Sequence, residues 1–94
     1  MVKKFPLGLV LLTSGVNEVV AENLTFAQFV TDCLSRHGEC DWGDLSEEDI
    51  KSNFEALAGG SKLFSAYESD DQPKIWIITE ANRCSTTILF PDEY

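Results

Sequence analysis

At 94 residues the chain has the size of one domain, 1–94, and can bury about two-thirds of the surface that its unfolded form exposes. With 44% apolar and 24% charged residues its composition is that of a folded globule, which excludes a disordered chain. The net charge of -9 opposes direct nucleic-acid binding, which needs Lys and Arg to replace the counterions of the phosphate backbone, and leaves a basic protein partner open.

The first signal is the apolar run Phe5 to Leu12 behind Lys3-Lys4. It mimics a short signal peptide with Val19-Val20-Ala21 as a poor cleavage site. It contains Pro6 and is far too short to span a bilayer. A strand over Leu7 to Leu12, covered on both faces, explains it better. Thr13-Ser14-Gly15 breaks that run. Ser14 is the expected N-cap of a short first helix with Val16, Val19 and Val20 on one face, stopping near Asn23.

Thr25 and Gln28 form an expected capping box for a second helix, with Leu24 stapling onto Phe29. Its inner stripe reads Phe26, Phe29, Val30, Cys33, Leu34 and His37, and Gly38 ends it. The loop Glu39–Asp44 carries Trp42. Ser46 caps a third helix, with Asp49 at N3, Leu45 stapling onto Ile50, and an inner stripe of Ile50, Phe54, Leu57 and Ala58 that stops at Gly59-Gly60.

Three strands follow: Lys62 to Glu68, Lys74 to Glu80 and Ser85 to Phe90, joined by Ser69–Pro73 and by the turn Ala81–Cys84. Short connections imply an antiparallel meander. Lys74-Ile-Trp-Ile-Ile-Thr is apolar on both faces, as a central strand should be. The predicted fold is therefore α+β: an N-terminal strand, three helices, then a three-stranded antiparallel meander packed against the helices. The N-terminal strand has three possible neighbours: Lys62–Glu68, Ser85–Phe90, or a second copy of the chain across a two-fold axis. The expected core is Leu9, Leu11, Val19, Phe26, Phe29, Val30, Leu34, Ile50, Phe54, Leu57, Phe64, Ile75, Ile77, Ile88 and Phe90.

Three cysteines, Cys33, Cys40 and Cys84, are too few and odd in number for a secreted disulfide framework. Cys33, His37 and Cys40 carry ligand-type side chains, but no thiols are paired at zinc spacing, so no metal or cofactor is expected. Cys33 reads as a small core residue, and His37 as a helix-end residue favoured by the dipole. A Cys40, His37 and Asp41 set lacks a nucleophile elbow or oxyanion loop, so no enzyme is expected. Gly59-Gly60-Ser61-Lys62 runs from helix to strand, the wrong order for a phosphate-binding loop. Arg83 beside Glu80 reads as a local ion pair.

The acidic residues remain. Glu39, Asp41, Asp44, Glu47, Glu48 and Asp49 form one group, Glu68, Asp70 and Asp71 a second, and Asp92 and Glu93 a third. Helix capping and solvation account for much of this pattern. The functional alternative is a negative surface that docks on a basic groove as a DNA mimic does. Trp42 either pins its loop onto the core, the reading favoured for so small a domain, or anchors a partner.

Asp41-Trp-Gly-Asp-Leu45, Glu48-Asp49, Asn53, Ala56-Leu57, Ser65-Ala-Tyr67, Lys74 to Ala81, Arg83, Thr86-Thr87, Leu89-Phe-Pro91 and Glu93-Tyr94 together resemble a family of small bacterial plasmid-related proteins. The resemblance runs from about Thr13 to Tyr94. It departs in the turn, where the family pattern Glu-Ala-Asp-Arg-Ser meets Asn82 and Cys84, so no role resting on a turn carboxylate carries over. It implies a bacterial, cytoplasmic protein of a mobile element and brings no activity with it. Mobile elements encode small acidic antagonists of host nucleases and defence complexes. The expected function is thus a non-enzymatic, protein-binding inhibitor, with a plasmid-maintenance or regulatory module that binds through an apolar surface as the alternative. The expected partner surface comprises Asp41, Trp42, Asp44, Glu47, Glu48, Asp49, Glu68, Asp70 and Asp71. The protein itself is expected to be a monomer or homodimer, with no membrane association.

Overall fold

A computed structural model describes residues 4–94; Lys3 of the basic N-terminal pair lies outside the described residues. The elements are β1 (Leu9–Leu12), α1 (Ser14–Glu22), α2 (Leu24–Gly38), α3 (Glu47–Gly59), β2 (Leu63–Ser69), β3 (Gln72–Thr79), β4 (Ser85–Leu89) and a short 3-10 turn, Pro91–Glu93. No helix among the described residues is long and apolar enough to cross a membrane.

β2, β3 and β4 form the expected antiparallel meander, with β3 central. The first hairpin is tighter than its sequence implied: the strands close in on Asp70-Asp71, with a register shift between Tyr67 and Ser69. β1 adds in parallel to β4, which makes the sheet mixed, in the order β1-β4-β3-β2. This settles the neighbour of β1 and corrects its expected burial. Only Phe5 and Leu7, ahead of the strand, are buried; Leu9 is 66% exposed and Val10 and Leu11 are each 41% exposed. An edge strand has no neighbour on one side, so an apolar run alone does not place it inside.

Register assigns the two faces. Leu63, Ser65 and Tyr67 stand opposite Thr79, Ile77 and Ile75, and Thr86 and Ile88 stand opposite Thr79 and Ile77. This is the face the helices cover. Val16 of α1 and Phe26, Val30 and Cys33 of α2 pack there on Tyr67, Ile75, Ile77 and Ile88. A second cluster joins Phe5, Leu7, Trp42, Ala56 and Leu63. Each large apolar side chain buried in these clusters contributes about 1.5–3 kcal/mol.

The helix starts differ by one or two residues from expectation. Thr13, not Ser14, caps α1, its hydroxyl accepting the Val16 amide at 3.3 Å. Asn23, not Thr25, caps α2, with Oδ1 accepting the Phe26 amide at 3.0 Å. Asn23 ends α1 and starts α2 at once, so the helices abut. Leu24 is then the first helical residue and 88% exposed, and the expected staple onto Phe29 does not form. α3 begins at its Ser46 cap as expected and ends at Gly60 with φ 80°. It is rotated, however. Asn53 and Ala56 face inward, while Phe54 is 49% exposed and Ala58 is exposed. The small Ala56 and the amide of Asn53 let α3 approach the edge of β2, where Asn53 Nδ2 donates to Phe64 O at 2.6 Å and Oδ1 accepts the Phe64 amide at 3.0 Å.

Candidate functional site

Two polar regions stand out, one on the surface and one buried. The surface region starts from the loop after α2. Its path is set from within. Trp42 is only 3% exposed, stacked on Phe5 at 6.1 Å and edge-on to His37 at 5.5 Å. Pinning is therefore its task, and a side chain so enclosed offers no anchor to a partner. Gly43 has φ 74°, and a Cβ there would meet Ala66 O at 2.1 Å, so only glycine lets the loop run beside β2. The loop then pairs with the strand edge. The Ala66 amide donates to Trp42 O at 3.2 Å, the Asp44 amide donates to Ala66 O at 2.7 Å, and the Tyr67 hydroxyl donates to Asp41 O at 2.7 Å.

This pairing brings two of the expected acidic segments together. Asp44 Oδ2 accepts the Glu68 amide at 2.8 Å. Asp44, Glu68 and Asp70, with Ser69, Gln72 and Lys74, line an open cleft of ≈ 420 Å³. Lys74 Nζ reaches Glu68 at 3.3 Å, the one cation beside three carboxylates among the described residues of the lining. The other expected residues lie elsewhere or are engaged. Asp41 receives Arg36 through two hydrogen bonds, 2.7 and 3.2 Å, and the Gly43 amide at 3.3 Å. The Arg36 hydrogen bond holds the Asp41 carboxyl below its usual range. Glu47, Glu48 and Asp49 are exposed on the first turn of α3, where the helix dipole favours them. Asp71 accepts the Ser69 hydroxyl at 2.8 Å. In the third group, Glu93 accepts the Thr13 hydroxyl at 2.6 Å, the Phe90 amide at 2.8 Å and the Gly15 amide at 3.2 Å, clipping α1 to the 3-10 turn.

The buried region is centred on His37, which lies in the last turn of α2, on its expected inner stripe, and is fully enclosed. Nδ1 lies 2.5 Å from Ser65 Oγ and Nε2 lies 2.9 Å from Thr79 Oγ1. Thr79 Oγ1 lies 2.8 Å from Thr86 Oγ1, which donates to Leu7 O at 2.7 Å. That last bond orders the whole chain, because a carbonyl only accepts. Thr86 spends its one proton on Leu7, so Thr79 must donate to Thr86. Thr79 must then accept from His37 Nε2–H. A neutral imidazole has no second proton, so Nδ1 accepts from Ser65. Burial supplies that neutrality by pushing the His37 pKa down to about 4.

Sequence alternation contained this signal. Ser65, Thr79 and Thr86 are polar residues at inward-facing strand positions, opposite a histidine on an apolar helical stripe. The network bonds α2 to β2, β3 and, through Thr86, to the segment before β1. Neither ring nitrogen is free for a metal, and burial pushes the Cys33 thiol up to about 12, well away from a thiolate. No cluster of metal-ligating side chains occurs among the described residues. The His37 ring bonds Ser65 and Thr79 and not the Cys40 thiol or the Asp41 carboxylate, so the Cys-His-Asp set is not assembled.

Sequence proximity does not set the contacts of Arg83. Its guanidinium does not pair with the Glu80 carboxylate, which lies 3.7 Å from Lys62. It donates instead to the backbone carbonyls of Ser61 at 2.6 Å, Glu80 at 3.0 Å and Ala56 at 3.1 Å. A cation at the carbonyl end of α3 is placed where the helix dipole favours it, and it ties that end to the β3–β4 turn.

No family model, no curated protein and no solved structure matches the chain.

Proposed function

We propose that the chain is a small acidic, non-enzymatic protein of a mobile element that acts by binding a basic protein partner, as a DNA-mimicking inhibitor of a host defence nuclease or effector complex. The observation that carries the reading is the union of two acidic segments, distant in sequence, in one cleft: Asp44 accepts the Glu68 amide and shares the wall with Asp70. The exposed carboxylates of Glu47, Glu48 and Asp49, at the head of the helix that follows Asp44, extend the negative surface. Carboxylates on a rigid backbone can replace phosphates in a basic groove, and long-range attraction to a net charge of -9 speeds the encounter. The resemblance to plasmid-related proteins supports a setting in the contest between mobile element and host.

A pull-down from a bacterial lysate, washed first at low and then at high salt, tests the reading. The expected result is a basic protein or complex retained at low salt and released at high salt, with no DNA bound by the chain itself. Retention indifferent to salt would favour the regulatory module that binds through an apolar surface. Reversing the charges of Glu47, Glu48 and Asp49 separates the helix head from the cleft: unchanged partner binding would confine the contact to Asp44, Glu68 and Asp70.

A further inference from the structure

The two edges of the sheet are finished in opposite ways. Along β2 the outward backbone groups are taken up in turn: Asn53 bonds both groups of Phe64, Trp42 O and the Asp44 amide bond Ala66, and Asp44 Oδ2 takes the Glu68 amide. Along β1 nothing comparable occurs among the described residues. Among the described residues β1 pairs only with β4. The Leu9 amide donates to Cys84 O at 2.9 Å and the Thr13 amide to Ile88 O at 3.1 Å. Strand alternation therefore turns Leu11 toward β4 as well, and points the N–H and C=O of Val10 and Leu12 outward.

This edge also lacks the usual protection. It has no proline, no bulge and no charged side chain, and β4 beside it, Ser85–Leu89, carries no charge either. Leu9, Val10 and Leu11 are all exposed. The bare edge asks for a strand, and its chemistry selects which one. In a chain of net charge -9, two copies repel wherever their acidic surfaces meet. At β1 an uncharged strand would meet an uncharged strand. A basic partner, by contrast, is drawn to the acidic cleft on the far side of the sheet.

We propose that β1 is the seam of a homodimer, pairing antiparallel with β1 of a second copy about a two-fold axis at Leu11. Val10 then exchanges both backbone hydrogen bonds with Leu12 of the partner subunit, and Leu12 does the same with Val10 of the partner subunit. Leu11 faces its own counterpart across the axis as a non-hydrogen-bonded pair, the closer kind of cross-strand contact. The sheet runs on through both copies, and the two acidic clefts stay free at its outer ends. This interface is separate from the acidic cleft and stands or falls independently of it.

Sedimentation velocity of the full chain over a wide concentration range is the test. The wild type is expected to reach twice the monomer mass. Val10→Pro removes an outward donor that the β1–β4 ladder does not use, and Leu11→Lys places a charge on the axis. Each is expected to raise the dimer dissociation constant by about tenfold or more, with unchanged circular dichroism. Leu24→Lys, at an exposed position outside β1, is expected to leave the dimer intact. Hydrogen exchange of the wild type adds a site-specific readout: protection of the Val10 and Leu12 amides should rise with protein concentration. A wild type that stays monomeric throughout, or a dimer that survives both edge substitutions, would overturn the proposal.

Discussion

The hydroxyl–imidazole chain around His37 and the carboxylates around Asp44 are both polar clusters built on the same pair of strands, β2 and β3, yet they differ in what is left over. Around His37 each donor has one acceptor, the direction of every bond is determined, and the ring is fully enclosed. Around Asp44 a few bonds shape the loop, and the carboxylates of Glu68 and Asp70 still face an open cleft. A satisfied buried network specifies structure; its groups have nothing left to offer a ligand. An open cluster with one cation among three carboxylates keeps unspent charge, which is what recognition needs.

The largest effect should come from breaking the closed cluster. His37→Ala removes the ring, leaves Ser65 and Thr79 with lost partners and opens a cavity beneath Phe5 and Trp42, so a loss of about 3–5 kcal/mol in urea denaturation is expected. Acid should act on the same point. The folded pKa of about 4 lies below the ordinary value of 6.5, so the unfolded chain binds more protons between them. The stabilisation is then complete above pH 6.5 and is lost as pH falls through 4, a change on the order of 3 kcal/mol. Comparing stability curves with His37→Gln isolates this contribution, since the variant should lack the slope in that window. Asp41 adds to acid sensitivity only at lower pH, where its depressed carboxyl protonates and releases Arg36.

An intermediate effect is expected at the sealed strand edge. Asn53→Ala strips both bonds from the Phe64 backbone and should cost about 1–3 kcal/mol, with faster exchange at the Phe64 amide. A smaller effect is expected where a bond is formed in solvent. Arg36 and Asp41 are each about half exposed, so a double-mutant cycle should give a coupling below about 1 kcal/mol. The smallest belongs to the open cluster. Asp44→Asn, Glu68→Gln and Asp70→Asn together keep an acceptor for the Glu68 amide and remove mutual repulsion, so stability should move by only about 0.5 kcal/mol or less.

The sequence made the helices, the meander and the acidic groups legible, because hydrophobic period, caps and short turns are local signals. What stayed hidden was set by tertiary contact. The run before Thr13 contains two different things, a buried strap at Phe5 and Leu7 and an exposed edge at Leu9–Leu11, and period cannot tell them apart. α3 turns its Asn53 and Ala56 inward because the β2 edge rewards an amide and a small side chain more than the larger Phe54. Trp42 and Arg83 were visible as residues, but their tasks depend on Phe5, Ala56 and Ser61, which lie far away in sequence. Gly43, Asn53, Tyr67, Thr86 and Glu93 likewise hold elements together, and their tasks too depend on partners distant in sequence.

The proposed function requires that the negative charge of Asp44, Glu68 and Asp70 serve a partner more than the fold. The direct measurement is the affinity of the wild type and of the Asp44→Asn, Glu68→Gln, Asp70→Asn variant for the basic protein captured from lysate, followed across a range of salt. The account predicts that wild-type affinity falls steeply with salt and that the variant at low salt binds as weakly as the wild type at high salt, with folded stability unchanged. A variant that binds as tightly as the wild type, or a wild-type affinity indifferent to salt, would contradict it.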